Sequence, residues 1–182
     1  MGRCNLPVTR GIAADTDPRL TLVEWNLALR ALVFRGTTAR LSDFWPALYG
    51  PGGMKGFIDS HPDVSAEAAR GVIKLAAERF CYWPSDPAEQ DRARHQPDPR
   101  FEVAESTPRI RGGRLCFKGR SLYFEILWDN LCWDEESGAL SFDEIVTDWE
   151  LPRDAAKRAI EIGGQLFSEG LAPAEDSPGA EA

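Results

Sequence analysis

The chain has 182 residues, 43% hydrophobic and 27% charged, which sets aside a disordered chain and leaves room for one domain or two very small ones. Its net charge of −8 argues against a general affinity for nucleic acid, because phosphate neutralisation drives non-specific binding. Its apolar runs are too short to span a bilayer, and the start Met1-Gly2-Arg3-Cys4 opens no apolar stretch of a secretory signal, so a cytoplasmic protein without a membrane partner is expected.

In chain order, the first predicted elements are two short strands, Leu20 to Glu24 and Ala31 to Arg35, rich in Val, Phe and Leu and closed by Gly36. An amphipathic helix over Leu41 to Tyr49 follows, with Leu41, Phe44, Trp45 and Leu48 on one face. After the Gly50-Pro51-Gly52-Gly53 loop come a short helix, Met54 to Ser60, a turn, and a longer helix, Ser65 to Phe80. Ser65 is its N-cap candidate, and positions 69, 72, 73, 76 and 80 form one apolar stripe. A short helix, a tight turn and a longer second helix describe a helix-turn-helix.

The same order then recurs. Strands are predicted over Phe101 to Glu105 and Arg114 to Lys118, and helices over Ser121 to Trp133, Ser141 to Asp148 and Pro152 to Phe167. Asp17-Pro18-Arg19 returns as Asp98-Pro99-Arg100, and Leu41, Phe44, Trp45 and Leu48 return as Phe124, Leu127, Trp128 and Leu131. Val64, Ala69, Ile73 and Phe80 return as Leu151, Ala156, Ile160 and Phe167. The change in spacing between these blocks falls in a loop, Gly50 to Gly53 against Asp134 to Gly138, where insertions are tolerated. The chain therefore reads as two tandem units, 17–83 and 98–169. A polar, Pro-rich linker (84–97) joins them, and an acidic tail low in hydrophobicity (170–182) is expected to be disordered.

Cys4, Cys81, Cys116 and Cys132 form no Cys-x-x-Cys pair and read as reduced thiols in apolar gaps. With only His61 and His95 beside them, no metal site or cofactor is expected. His61 reads as a turn residue. Gly50 to Gly53 lacks the Lys-Ser/Thr of a phosphate loop, and no nucleophile-base pair stands out, so no enzyme is expected.

The stretch Pro108-Arg109-Ile110-Arg111-Gly112-Gly113-Arg114-Leu115-Cys116-Phe117-Lys118-Gly119-Arg120, with Leu140 to Ile160 after it, resembles domain-of-unknown-function family 433. The first unit resembles it more loosely, through Val33-Phe34-Arg35-Gly36-Thr37 and His61-Pro62-Asp63-Val64-Ser65. The family's Gly-Thr-Arg is Gly36-Thr37-Thr38 in one unit and Gly119-Arg120-Ser121 in the other, so the role of its Arg does not carry over. The resemblance implies a homeodomain-like helix-turn-helix and an antitoxin of the VapB type, acting on a nuclease-like PIN-fold toxin and on operator DNA. The fold it implies is mainly α with short β-strands: two tandem homeodomain-like units, each preceded by a small β-hairpin, related by a pseudo-two-fold as an internal dimer.

For DNA the second helix of each unit is the candidate reader, with Arg70, Lys74 and Arg79 in one and Arg153, Lys157 and Arg158 in the other. Each set faces two acids on its own helix, Glu67 and Glu78 or Asp154 and Glu161, so the basic character is modest. For a protein partner the candidates are Asp134, Glu135, Glu136, Asp143, Glu144 and Asp148, in a run from 134 to 150 that holds no base. The expected function is an antitoxin-like protein that binds a cognate toxin or other protein, and its own operator. The alternatives are a DNA-binding regulator without a toxin and a scaffold module, and further self-association stays open.

Overall fold

In the computed structural model, which describes residues 17–84, 86, 88–89, 95, 97–106, 114–132 and 140–171, each half of the chain begins with an Asp-Pro-Arg turn. Most of the predicted linker, and the tail from 172, lie outside the described residues. Asp17 and Asp98 each accept the amide two residues on at 2.9 Å, and the proline between them sets the first turn of a 3₁₀ helix, Pro18–Thr21 and Pro99–Glu102. The strands predicted from Leu20 and Phe101 therefore start later. They are β1 (Val23–Asn26) with β2 (Ala31–Phe34), and β3 (Ala104–Glu105) with β4 (Cys116–Phe117), two antiparallel hairpins. Gly36 and Gly119 close the hairpins at φ +74° and +67°, a backbone only glycine adopts freely, and their amides donate to Glu24 and Glu105.

Among the described residues three helices follow the hairpin in each half: α1 (Leu41–Leu48), α2 (Gly53–Ser60) and α3 (Ala66–Cys81), then α4 (Phe124–Leu131), α5 (Phe142–Asp148) and α6 (Arg153–Ser168). Ser65 caps α3 by accepting from Ala68 N at 3.0 Å, as its position in the sequence predicts. Ser141 and Glu144 form a reciprocal capping box on α5. Pro152, predicted inside the last helix, stands just before it as the N-cap. The helix predicted from Ser121 begins only at Phe124, because Phe117 N donates to Leu122 O and Cys116 bridges Tyr123, which keeps the intervening chain extended.

The apolar stripes are the core. Leu41, Phe44, Trp45 and Leu48 are buried on α1, and Ala69, Val72, Ile73, Ala76 and Phe80 on α3. One continuous cluster joins these to the buried residues of the second half. The long helices α3 and α6 pack on each other, and each half's first helix packs on the other half's long helix, α1 on α6 and α4 on α3. Trp45 thus meets Phe167 at 6.0 Å between ring centres, and Trp128 meets Phe80 at 5.7 Å.

The Asp-Pro-Arg turns lock the same exchange. Arg19 donates to Phe167 O (2.5 Å) and Glu169 O (2.8 Å) at the end of α6. Arg100 donates to Phe80 O (3.0 Å) and Tyr82 O (2.5 Å) at the end of α3. Each guanidinium is held by its own aspartate and satisfies carbonyls left open at a helix C-terminus. The protein is mainly helical with small hairpins, and its two halves share one core.

Candidate functional site

The six cations predicted to read DNA sit on α3 and α6, whose inner faces the core consumes. Their charges are unequally free. Arg153 pairs with Asp143 and lies 5.5 Å over the Phe142 ring. Arg158 pairs with Glu102 (2.7 Å) and Glu161 (3.1 Å), and those bonds raise its pKa further. Lys157 lies 5.5 Å over the Tyr49 ring, whose hydroxyl donates to Glu161. Burial, and then the Glu161 charge, raises the pKa of that phenol. Arg79 stands near the Asp17–Arg19 turn, and its pKa is lowered by partial burial and by the Arg19 charge. The α6 face is thus nearly balanced, and it offers phosphates little net field.

Arg70 and Lys74 differ. Among the described residues neither side chain makes a hydrogen bond or ion pair. Their charges act instead on the Cys132 thiol of the other half.

The predicted acidic candidates divide as well. Asp134, Glu135 and Glu136 lie outside the described residues. Asp143 is occupied by Arg153, and Glu144 by the amide of Ser141 (2.7 Å), which holds its carboxyl below the usual carboxylate range. Asp148, exposed at the end of α5, has no partner among the described residues.

A groove that no single stretch of sequence announces lies where the two halves meet. It encloses about 450 Å³ between α2, the start of α3, the end of α4 and the start of α5. Leu48, Met54, Ile58, Leu131, Leu140 and Phe142 line it, with Arg70 and Glu144 at its polar edge. Sequence patterning could mark Met54 and Ile58 as apolar positions of a short helix. It could not mark them as half-buried beside residues more than 70 positions away.

His61 caps the end of α2, stacked on Phe57 at 4.3 Å with Nδ1 3.0 Å from Phe57 O. No group of three His, Cys, Asp or Glu converges as metal ligands among the described residues, and no helix there is long and apolar enough to cross a membrane. Cys81 and Cys132 are half-buried and Cys116 is buried. Burial, reinforced by nearby acids, pushes the Cys81 thiol up, and pushes Cys132 up to about 12. Alkylation of Cys132 by iodoacetamide at pH 7.5 is therefore expected to run on the order of 10³-fold slower in the folded chain than in the urea-unfolded chain. Peptide mass spectrometry reads this directly, and equal rates would remove the burial explanation.

No family model, curated protein or solved structure matches the chain.

Proposed function

We propose that the chain is an antitoxin-like binding protein, two homeodomain-like helix-turn-helix units fused into an internal pseudo-dimer, whose first partner is a cognate nuclease-type toxin or another protein. The repeated order of turn, hairpin and three helices, with the exchanged Trp–Phe and Arg–carbonyl contacts, is what a fused dimer would leave. The observation that carries the protein-partner reading is the apolar groove between the halves, with Arg70, which has no ion pair among the described residues, at its edge. Such a groove suits an amphipathic segment with a carboxylate placed to meet Arg70. Operator DNA is the second partner in this reading. It is favoured chiefly by Arg70 and Lys74, since Arg153 and Arg158 of α6 are paired with Asp143, Glu102 and Glu161 and Lys157 lies over the Tyr49 ring.

The test is co-purification of the full chain with the product of the adjoining reading frame. A stable complex is expected, and Met54→Glu with Ile58→Glu is expected to weaken it at least about 30-fold, the loss of one hot spot. Thermal melts check that the variant folds. A complex indifferent to that variant removes the groove. No complex, together with a salt-dependent nanomolar shift of the upstream DNA, replaces this reading with a DNA-binding regulator.

A further inference from the structure

A second cavity, of about 540 Å³, lies among the β1–β2 hairpin, the start of α1 and the end of α6, and shares no lining residue with the groove. Its walls include Trp25, Arg30, Arg40, Ser42, Trp45 and Gly164. Arg30 and Arg40 are both exposed, and neither side chain has a hydrogen bond or ion pair among the described residues. Arg40 is the N-cap of α1 and provides no side-chain cap, so the first amides of that helix keep their partial positive charge. The only acid in that turn is Asp43, 3.4 Å from Ser42 Oγ.

Trp45, 6% exposed, is one of three tryptophans, with Trp83 and Trp128, whose buried indole N–H has no acceptor among the described residues. The Trp45 ring lies flat against Gly164, another wall of the cavity, where a Cβ would come within 2.6 Å of Nε1. Arg30 itself sits at φ +46°, in the left-handed region that favours glycine. The matching position of the second half is Gly113, and Arg40 and Ser42 are matched by Tyr123 and Glu125. The first half therefore holds an arginine in a conformation better suited to glycine, and no contact within the described chain repays it.

We propose that this cavity binds a nucleoside phosphate. The phosphate oxygens accept from Arg30, Arg40 and the open amides of α1, the arrangement that suits a dianion. The base stacks on half-buried Trp25. The volume is within the range of small-ligand pockets. The free nucleotide and the residue of a single strand share this chemistry.

Calorimetry on the full chain, with AMP, CMP, GMP and UMP in turn, tests the assignment. Saturable one-to-one binding of at least one of them below about 1 mM is expected. Adenosine and inorganic phosphate alone should each bind at least about tenfold more weakly. Arg30→Gly and Arg40→Ala should each weaken the nucleotide at least about tenfold, while Arg153→Ala leaves it unchanged. Arg30→Gly should also melt no lower than the parent, because it relieves the backbone, so lost binding there cannot be lost folding. A six-residue RNA that binds more tightly than the nucleotide, with the same Arg30 dependence, supports a strand as the source, and equal or weaker binding supports the free nucleotide. The proposal is overturned if neither nucleotides nor the RNA saturate, if phosphate alone binds as tightly as a nucleotide, or if both arginine variants bind like the parent.

Discussion

Arg19→Ala is expected to cost about 3–5 kcal/mol, the range for breaking one side of a buried charged pair. Arg19 is 8% exposed, and its guanidinium joins Asp17 to two carbonyls at the end of α6. Truncation leaves the Phe167 carbonyl without its donor and the Asp17 carboxylate with only the residue-19 amide, in a place water reaches poorly. For a chain of this length the midpoint should fall by roughly 10 °C or more. Arg19→Lys should recover little, since one ammonium cannot span the carboxylate and both carbonyls. The acid limb carries a second signature. The Arg19 hydrogen bond, working against burial, holds the Asp17 carboxyl below its usual value. A depressed native pKa means that this stabilisation is present above the unfolded pKa and is lost as pH falls through the native one. The parent should therefore lose stability below about pH 4, and Arg19→Ala should show a flatter loss across that window. Urea titrations at pH 7 and across the acid range read both. A variant within about 1 kcal/mol of the parent at pH 7 would remove the clamp from the account.

Gly163→Ala is expected to destabilise although alanine is the better helix former. A Cβ at Gly163 would lie 2.4 Å from Trp128 Cη2 and 2.6 Å from Cζ2. Trp128 is 1% exposed, wedged beside Phe80 in the shared core, and has nowhere to retreat. Helix propensity returns about 1 kcal/mol, and overpacking costs about 1–3 kcal/mol or more, so the sum is a net loss. Gly163→Val, larger and β-branched, should leave little folded protein at 37 °C. Gly71→Ala is the matched control. Its Cβ would meet Leu22 Cδ1 at 2.8 Å, the far end of a half-buried side chain that can turn aside, so it should be neutral or mildly stabilising. Thermal melts of the three variants decide the matter. If Gly163→Ala and Gly71→Ala behave alike, close packing of the tryptophan is not what glycine serves at 163.

These two sites differ in how much of them the amino-acid order reveals. Asp17-Pro18-Arg19 and its return at Asp98 are visible in the sequence, but only as a repeated motif. Read by propensity, Leu20 belongs to a strand, whereas the carboxylate and the proline turn it into a 3₁₀ segment. That Arg19 reaches Phe167, 148 positions on, is a property of the packed chain. The candidate cations show the same limit. Arg153 and Arg158 count as charge on an exposed helix, yet Glu102 reaches Arg158 from a turn 56 positions earlier, and Asp143 reaches Arg153 from α5. Charge counted along one helix misses acids delivered by another.

Periodicity and capping chemistry are local, and there the sequence alone was sufficient. The stripe at 69, 72, 73, 76 and 80, the cap at Ser65, and the order of hairpin and three helices in each half follow from side-chain spacing and from backbone groups a few residues apart. What only the tertiary structure decided is which apolar stripe meets which. Each stripe is equally willing to cover its own half's helices or those of its twin, because hydrophobic burial carries no direction. The choice falls to shape and to a few directional bonds: Gly163 and Gly164 make seats for two tryptophans, and Arg19 and Arg100 reach across to the far helix ends. That exchange places the groove between the halves and the Trp25–Arg30–Arg40 cavity beside α6.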